Sequence, residues 1–188
     1  MRTVKLVVLG DKASHKSSVT VQYMHAVTPK EYDPTIEDSY LKEVIVEGIP
    51  VQVEVLDTAG TENNTAMRDL YMKNADGILL LYSITSRATF EALPEYIEQT
   101  LRIKDVDEVP AVVAGNCCEQ EDKRAVTKEE GQKLAAQWNA GFFEISSRTN
   151  KESVDEVFAE LLRRVATSKQ AALHKQGGTE GEKRCIVC

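Results

Sequence analysis

The chain has 188 residues, of which 42% are apolar and 28% charged, and its net charge is −7. These values are typical of one globular domain with a filled core. The negative charge argues against general nucleic-acid binding, and we find no stretch long and apolar enough to span a bilayer.

Apolar patterning predicts an initial strand pair followed by alternating strands and helices. Strands are predicted at Val4–Leu9, Ser39–Val46, Val51–Leu56, Gly77–Tyr82, Ala111–Ala114 and Phe142–Ile145. Helices are predicted at Lys16–Met24, Thr65–Lys73, Ala88–Arg102, Lys128–Asn139 and Lys151–Ala166, with Thr127 and Glu130 forming a capping box. The pattern predicts an α/β fold: a six-stranded, mostly parallel sheet with helices on both faces and ligands bound at the carboxyl ends of its strands.

The composition divides the chain into two parts. After a domain of residues 1–166, few apolar residues remain, which predicts a disordered tail over residues 167–188. Four cysteines fall in two pairs, Cys117–Cys118 and Cys185 with Cys188. Neither pair has the spacing of a disulfide framework or a zinc site, so we expect the first pair to be reduced.

A phosphate-binding pattern follows the first strand. Residues Gly10–Ser17 lie between a strand and a helix, where backbone N–H groups and a helix N-terminus can hold phosphates. Lys16 would neutralise the outer phosphates and Ser17 would bind Mg²⁺. His15 stands where this pattern has its second glycine, so the segment alone also fits a plain strand–helix turn.

Further segments complete the pattern. Asp57–Gly60 ends a strand and suits an acid that holds Mg²⁺ through water and a glycine amide that faces a terminal phosphate. Asn116 follows another strand, and Tyr32–Tyr40 reads as a partner-binding loop. With these segments the chain resembles a Ras-family small GTPase from about Val4 to Ala166. The resemblance is specifically to the Rap branch at Asp57–Glu62, Thr65–Asn74 and Leu81–Thr85.

The resemblance implies a P-loop G domain that binds GDP or GTP with Mg²⁺. The implied nucleotide-binding residues are Gly10, His15, Lys16, Ser17, Ser18, Thr35, Asp57, Gly60, Asn116, Glu119, Ser147 and Arg148. The implied Mg²⁺ ligands are Ser17, Thr35 and Asp57. We expect slow hydrolysis: Thr61, beside Gly60, takes the place of the glutamine that orients water in most of the superfamily. Thr61 is normal in the Rap branch, but Asn64 replaces an aromatic that Rap offers to its activating protein.

The chain departs from the family around the nucleotide. Three glycine positions of the phosphate loop hold Lys12, Ala13 and His15. We expect His15 to clash with phosphates, although a protonated imidazole would instead add a cation. On the base side, Thr28 replaces a stacking aromatic, Asn-Lys-x-Asp reads Asn116–Glu119, and Ser-Ala-Lys is matched to Ser147–Thr149. Losses of about 1.5–3 kcal/mol each would weaken nucleotide binding by several orders of magnitude.

The partner-binding loop, in contrast, matches the family throughout. Its implied effector-binding residues are Tyr32, Asp33, Pro34, Ile36, Glu37, Asp38, Ser39 and Tyr40. They imply effectors with Ras-association-type domains that pair strands edge to edge. Glu31 stands where Rap has lysine, which favours Ras-type effectors. Exchange factors and activating proteins are further implied partners, and we expect a monomer.

The chain ends in Cys185-Ile-Val-Cys188, which matches a prenylation box with Cys185 as the lipidated residue. Because few basic residues lie nearby, we expect weak, reversible attachment to the cytoplasmic face of the plasma membrane or endomembranes, with a cytosolic pool. Two hypotheses remain open for the whole chain. One is a Ras/Rap-like switch with low GTP hydrolysis, and the other is a pseudo-GTPase that presents Tyr32–Tyr40 without a nucleotide cycle.

Overall fold

One six-stranded sheet forms the centre of the protein. The computed structural model describes the backbone of residues 2–24, 39–58 and 65–177, and the side chains within these ranges except at 2, 65 and 172–177. The strands are β1 (Arg2–Leu9), β2 (Ser39–Val46), β3 (Ile49–Asp57), β4 (Gly77–Ser83), β5 (Ala111–Asn116) and β6 (Gly141–Glu144). Their order is β2-β3-β1-β4-β5-β6, and β2 is antiparallel to β3 while the other pairs are parallel. The predicted fold class is confirmed.

Helices cover both faces of the sheet. They are α1 (Lys16–Met24), α2 (Thr65–Asn74), α3 (Arg87–Glu91), α4 (Leu93–Lys104), α5 (Lys128–Gln137) and α6 (Lys151–Gly177). One apolar cluster joins α1 and α6 to the sheet, and a second joins α2, α4 and α5 to the opposite face. Within the described helices, none is both long enough and apolar enough to cross a bilayer.

The central strands are apolar because both of their faces are covered. Along β1, Leu6 and Val8 belong to the first cluster, whereas Val7 and Leu9 belong to the second. All residues of β4 and β5 are buried. Such continuous burial is typical of parallel strands between two layers of helices. It holds the carboxyl ends of β1, β3, β4 and β5 in fixed positions.

The helix predicted over Ala88–Arg102 is wrong as a single element. The structure has two helices there, α3 and α4, separated at Ala92. Pro94 lies in the first turn of α4. Proline lacks an N–H donor and its ring clashes with the carbonyl four residues earlier, so a continuous helix through Pro94 would be kinked or broken.

The predicted end of the last helix at Ala166 is also wrong. α6 continues to Gly177, into the segment for which disorder was predicted, while residues 178–188 lie outside the described part. The added turns contain Ala, Leu, Lys and Gln, which are strong helix formers even when few residues are apolar. An ion pair of 2.7 Å between Lys169 and Asp76, which precedes β4, fixes this part of α6 against the domain.

The capping box predicted at the start of α5 is confirmed. The Thr127 hydroxyl accepts from the Glu130 N–H at 3.2 Å, and the Thr127 N–H donates to the Glu130 carboxylate at 2.9 Å. Arg87 also donates to both oxygens of Glu130, at 2.9 and 3.0 Å. The Arg87 bonds and then the Thr127 N–H lower the pKa of Glu130 to about 2.

A lysine on the edge strand caps the end of α1. The Lys42 ammonium donates to the Tyr23 carbonyl at 2.7 Å and lies 3.8 Å from the centre of the Tyr23 ring. The same ring stacks on Phe158 of α6 at 3.8 Å. Cations are favourable at helix C-termini, and cation–π contact adds to the attraction. The contact thus joins the end of α1 to β2, on either side of residues 25–38.

Candidate functional site

The phosphate-loop pattern forms a tight turn after β1. Gly10 has φ 152°, and a Cβ there would lie 2.2 Å from the Leu81 carbonyl oxygen, so no side chain fits. The Asp11 carboxylate accepts from the Ala13 N–H at 3.0 Å. The Asp11 carbonyl accepts from the Ser14 N–H at 3.0 Å and from the Ser14 hydroxyl at 2.7 Å. These bonds close the loop on itself next to β4.

His15 adopts the left-handed conformation, with φ 61° and ψ 41°, at the end of the short 3₁₀ turn Lys12–Ser14. A residue with a Cβ loses roughly 1–2 kcal/mol in this region relative to right-handed backbone. Glycine adopts it freely, which explains in physical terms why a phosphate-loop pattern has glycine at this place. His15 adopts this conformation although it carries a Cβ. The clash between His15 and a phosphate stays a prediction.

Lys16 begins α1, and its side chain is directed back into the loop. Its ammonium donates to the carbonyls of Gly10 at 2.8 Å and Asp11 at 3.2 Å, and the residue is only 2% exposed. Ser17 and Ser18 are exposed in the first turn of α1. First-turn N–H groups have no acceptor within their own helix, and the helix dipole favours an anion there. A buried ammonium beside a helix N-terminus is a geometry that suits phosphate binding.

The end of β3 brings an acid to the same edge of the sheet. Asp57 pairs in register with Val8 of β1, and the Thr58 hydroxyl donates to the Val8 carbonyl at 2.8 Å. Asp57 is 2% exposed. Its carboxylate and the Ser17 hydroxyl are hard oxygen ligands of the type that Mg²⁺ takes, usually together with waters and phosphate oxygens. The donor types therefore fit Mg²⁺. Among the described side chains, no group of three or more His, Cys, Asp or Glu could hold a metal ion by itself.

Asn116 joins three loops through a fully buried amide. Its Nδ2 donates to the Ser14 carbonyl at 3.3 Å and to the Ser147 hydroxyl at 3.1 Å. Its Oδ1 accepts from the N–H groups of Cys117 at 2.8 Å and Ser147 at 3.1 Å. The predicted base-side residue therefore connects the phosphate loop to the loops that follow β5 and β6.

The acid predicted to read the base lies next to the loop after β6. Burial opposes ionisation of Glu119, but hydrogen bonds, first from Ser146, and the charge of Arg148 hold the pKa of its carboxyl below the usual value. Thr149 hydrogen-bonds back to the Ser146 hydroxyl. Ser146, which directly precedes the predicted match of Ser147–Thr149, is thus the residue of this loop that hydrogen-bonds Glu119.

The two cysteines of the base-side loop are free thiols. Cys117 is buried with φ 68°, and Cys118 is half-buried. Burial raises the pKa of both thiols, so both are protonated at neutral pH. Arg124 fixes the far end of this loop, because its guanidinium donates to Glu121 at 2.6 and 2.7 Å and to Glu144 at 2.6 and 3.0 Å.

The structure brings most of the predicted nucleotide-binding residues to one edge of the sheet. Ser14, Ser146 and Arg124 were missed, because serines and arginines in loops give no periodic signal before the loops are assembled. Ser39 and Tyr40 begin the edge strand β2. Other predicted positions lie outside the described residues: Thr28, Tyr32, Asp33, Pro34, Thr35, Ile36, Glu37, Asp38, Gly60, Thr61, Asn64 and Cys185.

Comparison with protein-family models matches residues 5–167 of the chain to the Ras family. The match runs from β1 into α6, and it includes the phosphate loop, the end of β3 and both base-side loops. Members of this family bind GDP or GTP with Mg²⁺, and they work with effectors, exchange factors and activating proteins.

Proposed function

Because the chain belongs to the Ras family of small GTP-binding proteins, we propose that it is a signalling switch that binds GDP or GTP with Mg²⁺ and hydrolyses GTP slowly. The arrangement of Lys16 carries this proposal. Its ammonium is buried against the carbonyls of Gly10 and Asp11 at the N-terminus of α1, where an anion is favoured. This arrangement supports phosphate binding by the loop although three glycine positions are substituted.

The other site residues have separate roles in this proposal. Ser17, Asp57 and Thr35 bind Mg²⁺, which offsets the charge of the phosphates when it is bound. Glu119 accepts the N–H groups of guanine, and its lowered pKa keeps it ionised. The Ser147 backbone and Arg148 border the base, while Ser18 supplies a first-turn amide to the phosphates.

Hydrolysis in this proposal is slow and poorly stimulated. The water that attacks the terminal phosphate needs a residue to orient it, and Thr61 has no amide side chain for this task. Gly60 supplies an amide to the terminal phosphate but no proton transfer. Lys12 is exposed on the loop, where its charge would compete with an arginine supplied by an activating protein.

Effector binding is proposed at Tyr32–Tyr40 and at β2, the first strand in the order of the described sheet. Among the described strands, β2 is the outermost and is antiparallel to β3, and Ser39 and Tyr40 begin it, so an effector with a Ras-association-type domain has an edge strand to extend. We assign the chain to a Rap-like group on the segments that resemble that branch, with the effector preference altered by Glu31. The protein acts as a monomer that exchange factors and activating proteins engage.

Membrane attachment is proposed through a prenyl group on Cys185. One lipid chain gives only marginal binding without a second signal, so the protein is divided between cytoplasmic membrane faces and the cytosol. Cys185→Ser should move the membrane-bound fraction into the cytosol, with Cys118→Ser as the cysteine control. Unchanged fractionation of Cys185→Ser would exclude the lipid anchor.

A pseudo-GTPase is the second candidate function, and one specific observation favours it. The phosphate loop is held by groups of the protein: Lys16 binds loop carbonyls, and Asn116 at the end of β5 binds the loop at Ser14. A loop held in this way needs no phosphate to keep its shape. The protein would then present Tyr32–Tyr40 as a decoy or scaffold, and its effector affinity would be indifferent to GTP.

Nucleotide content separates the two functions. The protein is purified from cells and denatured, and any released nucleotide is identified by ion-exchange chromatography. Stoichiometric GDP or GTP supports the switch, and a predominance of GTP also supports slow hydrolysis. Lys16→Met, which keeps the stem but removes the ammonium, should then contain no nucleotide, whereas Lys133→Met, at an exposed position of α5, should still contain it. A folded wild-type protein that is empty and takes up no fluorescent GDP at micromolar concentration supports the pseudo-GTPase.

A further inference from the structure

The polar groups of the Asn116 side chain are all used within the protein. A carboxamide has two N–H donors and one oxygen with two lone pairs. The donors bind the Ser14 carbonyl and the Ser147 hydroxyl, and the oxygen accepts from two backbone N–H groups. The residue is fully buried. One of these four partners, the Ser147 hydroxyl, is a side chain, so it alone depends on the residue type.

These bonds occupy N–H donors that a guanine base would need. If the Watson–Crick edge of the base faces Glu119, the neighbouring edge presents two acceptors, O6 and N7. Donors are needed on that side of the site. Two amides of the base-side loops could supply them: the side chain of Asn116 and the backbone N–H of Ser147, which already donates to Asn116 at 3.1 Å. An acceptor left without a donor in a binding site loses affinity.

We propose that Ser147 sets the nucleotide affinity of this site, because its hydroxyl holds an N–H of Asn116 that would otherwise donate to the O6/N7 edge of a purine. The inference rests on the proposed function, since it concerns guanine-nucleotide binding at the same site. In this view, the Ser147 hydroxyl weakens the binding of the base, in addition to the departures from the family pattern at Glu119 and Cys117.

Removal of the hydroxyl tests the proposal. Ser147→Ala leaves the backbone bonds of the loop in place and releases the N–H of Asn116, so we expect GDP to bind about fivefold tighter, as for one regained hydrogen bond. Ser147→Thr keeps a hydroxyl at the same atom and should bind GDP as the wild type does. Affinities are measured by competition with fluorescent GDP.

A nucleotide without N7 distinguishes a regained base contact from a general change in the loop. The wild type should bind 7-deaza-GDP and GDP with similar affinity, whereas Ser147→Ala should prefer GDP by about fivefold. Equal affinities in Ser147→Ala would overturn the proposal. Weaker GDP binding by Ser147→Ala would overturn it too, because the hydroxyl itself would then be the group that contacts the base.

The hydrogen bond can also be followed without nucleotide. In ¹⁵N NMR spectra of the nucleotide-free protein, the side-chain amide protons of Asn116 should exchange with solvent more slowly in the wild type and in Ser147→Thr than in Ser147→Ala. Equal exchange in all three proteins overturns the inference.

If the hydrogen bond between Asn116 and Ser147 is seen but neither the wild type nor any variant binds GDP, the proposed function fails together with the role assigned here to Ser147. If the wild type binds GDP and Ser147→Ala binds no tighter, only the inference fails.

Discussion

Replacing Asn116 by alanine should destabilise the protein before any ligand is considered. The change removes four hydrogen bonds of 2.8–3.3 Å: one to the phosphate loop, two to Ser147 after β6 and one from Cys117 after β5. Each such bond contributes about 1 kcal/mol. Partial solvation of the loops recovers some of this, so we expect a loss of about 3 kcal/mol, a large share of the roughly 5–15 kcal/mol that stabilises a domain.

The loss should be visible in thermal unfolding of the nucleotide-free protein. For a domain of this size, about 3 kcal/mol corresponds to a melting temperature roughly 6–12 °C lower. Asn74→Ala, at the exposed end of α2, is the matched control and should change the stability by less than about 0.5 kcal/mol. Hydrogen exchange should also rise in residues 10–15 and 146–150 of the Asn116 variant. A stability within about 1 kcal/mol of the wild type would refute the view that this amide holds the three loops together.

Three further changes test other parts of the structure. His15→Gly should leave the melting temperature within about 3 °C, because relief of left-handed strain and the added unfolded-state entropy of glycine nearly cancel. The same variant should bind GDP more tightly, and an unchanged GDP affinity would contradict the predicted clash. Because the pKa of Glu130 is lowered to about 2, its charged form contributes stability above its ordinary pKa, and this contribution is lost as the pH falls toward 2. Glu130→Gln should therefore melt below the wild type at pH 7 but not at pH 2, whereas Glu129→Gln, with the same change in charge, should show a smaller difference at pH 7. Lys169→Ala should speed hydrogen exchange in residues 168–177 without lowering global stability by more than about 1 kcal/mol, and unchanged exchange would show that the ion pair with Asp76 does not hold the end of α6.

The strands of the sheet could be predicted from the sequence because their apolar patterns are strong. β4 and β5 are continuous apolar runs, and β1 alternates between two apolar faces, which places it between two helical layers. Two helix boundaries were predicted wrongly, although residues at each of them indicate the observed structure. Pro94 marks the break between α3 and α4, and the helix-forming residues after Ala166 extend α6 although they lack an apolar stripe.

The candidate site was only partly predictable, for a different reason. The residue types at Lys16, Asp57 and Asn116 indicate chemistry because their spacing from strand ends is informative. The hydrogen bonds of Asn116 with Ser14 and Ser147 join positions 102 and 31 residues apart, and no local pattern reports such pairs. The placement of Ser146 against Glu119 depends likewise on how two loops meet after the sheet has formed.

The substitutions around the nucleotide site act on binding in two distinct ways, and this decides how the two functions can be separated. His15 changes the cost of the loop conformation, since a residue with a Cβ adopts left-handed backbone there. Ser147 changes which donors a base can reach, which matters only when a base is present. If affinity is lost mainly through donors, replacing Ser147 by alanine restores binding on a loop that is already formed, and the chain is a weakened switch. If His15 obstructs the phosphates themselves, changes on the base side restore nothing, and the closed phosphate loop supports a binding module that has left the nucleotide cycle.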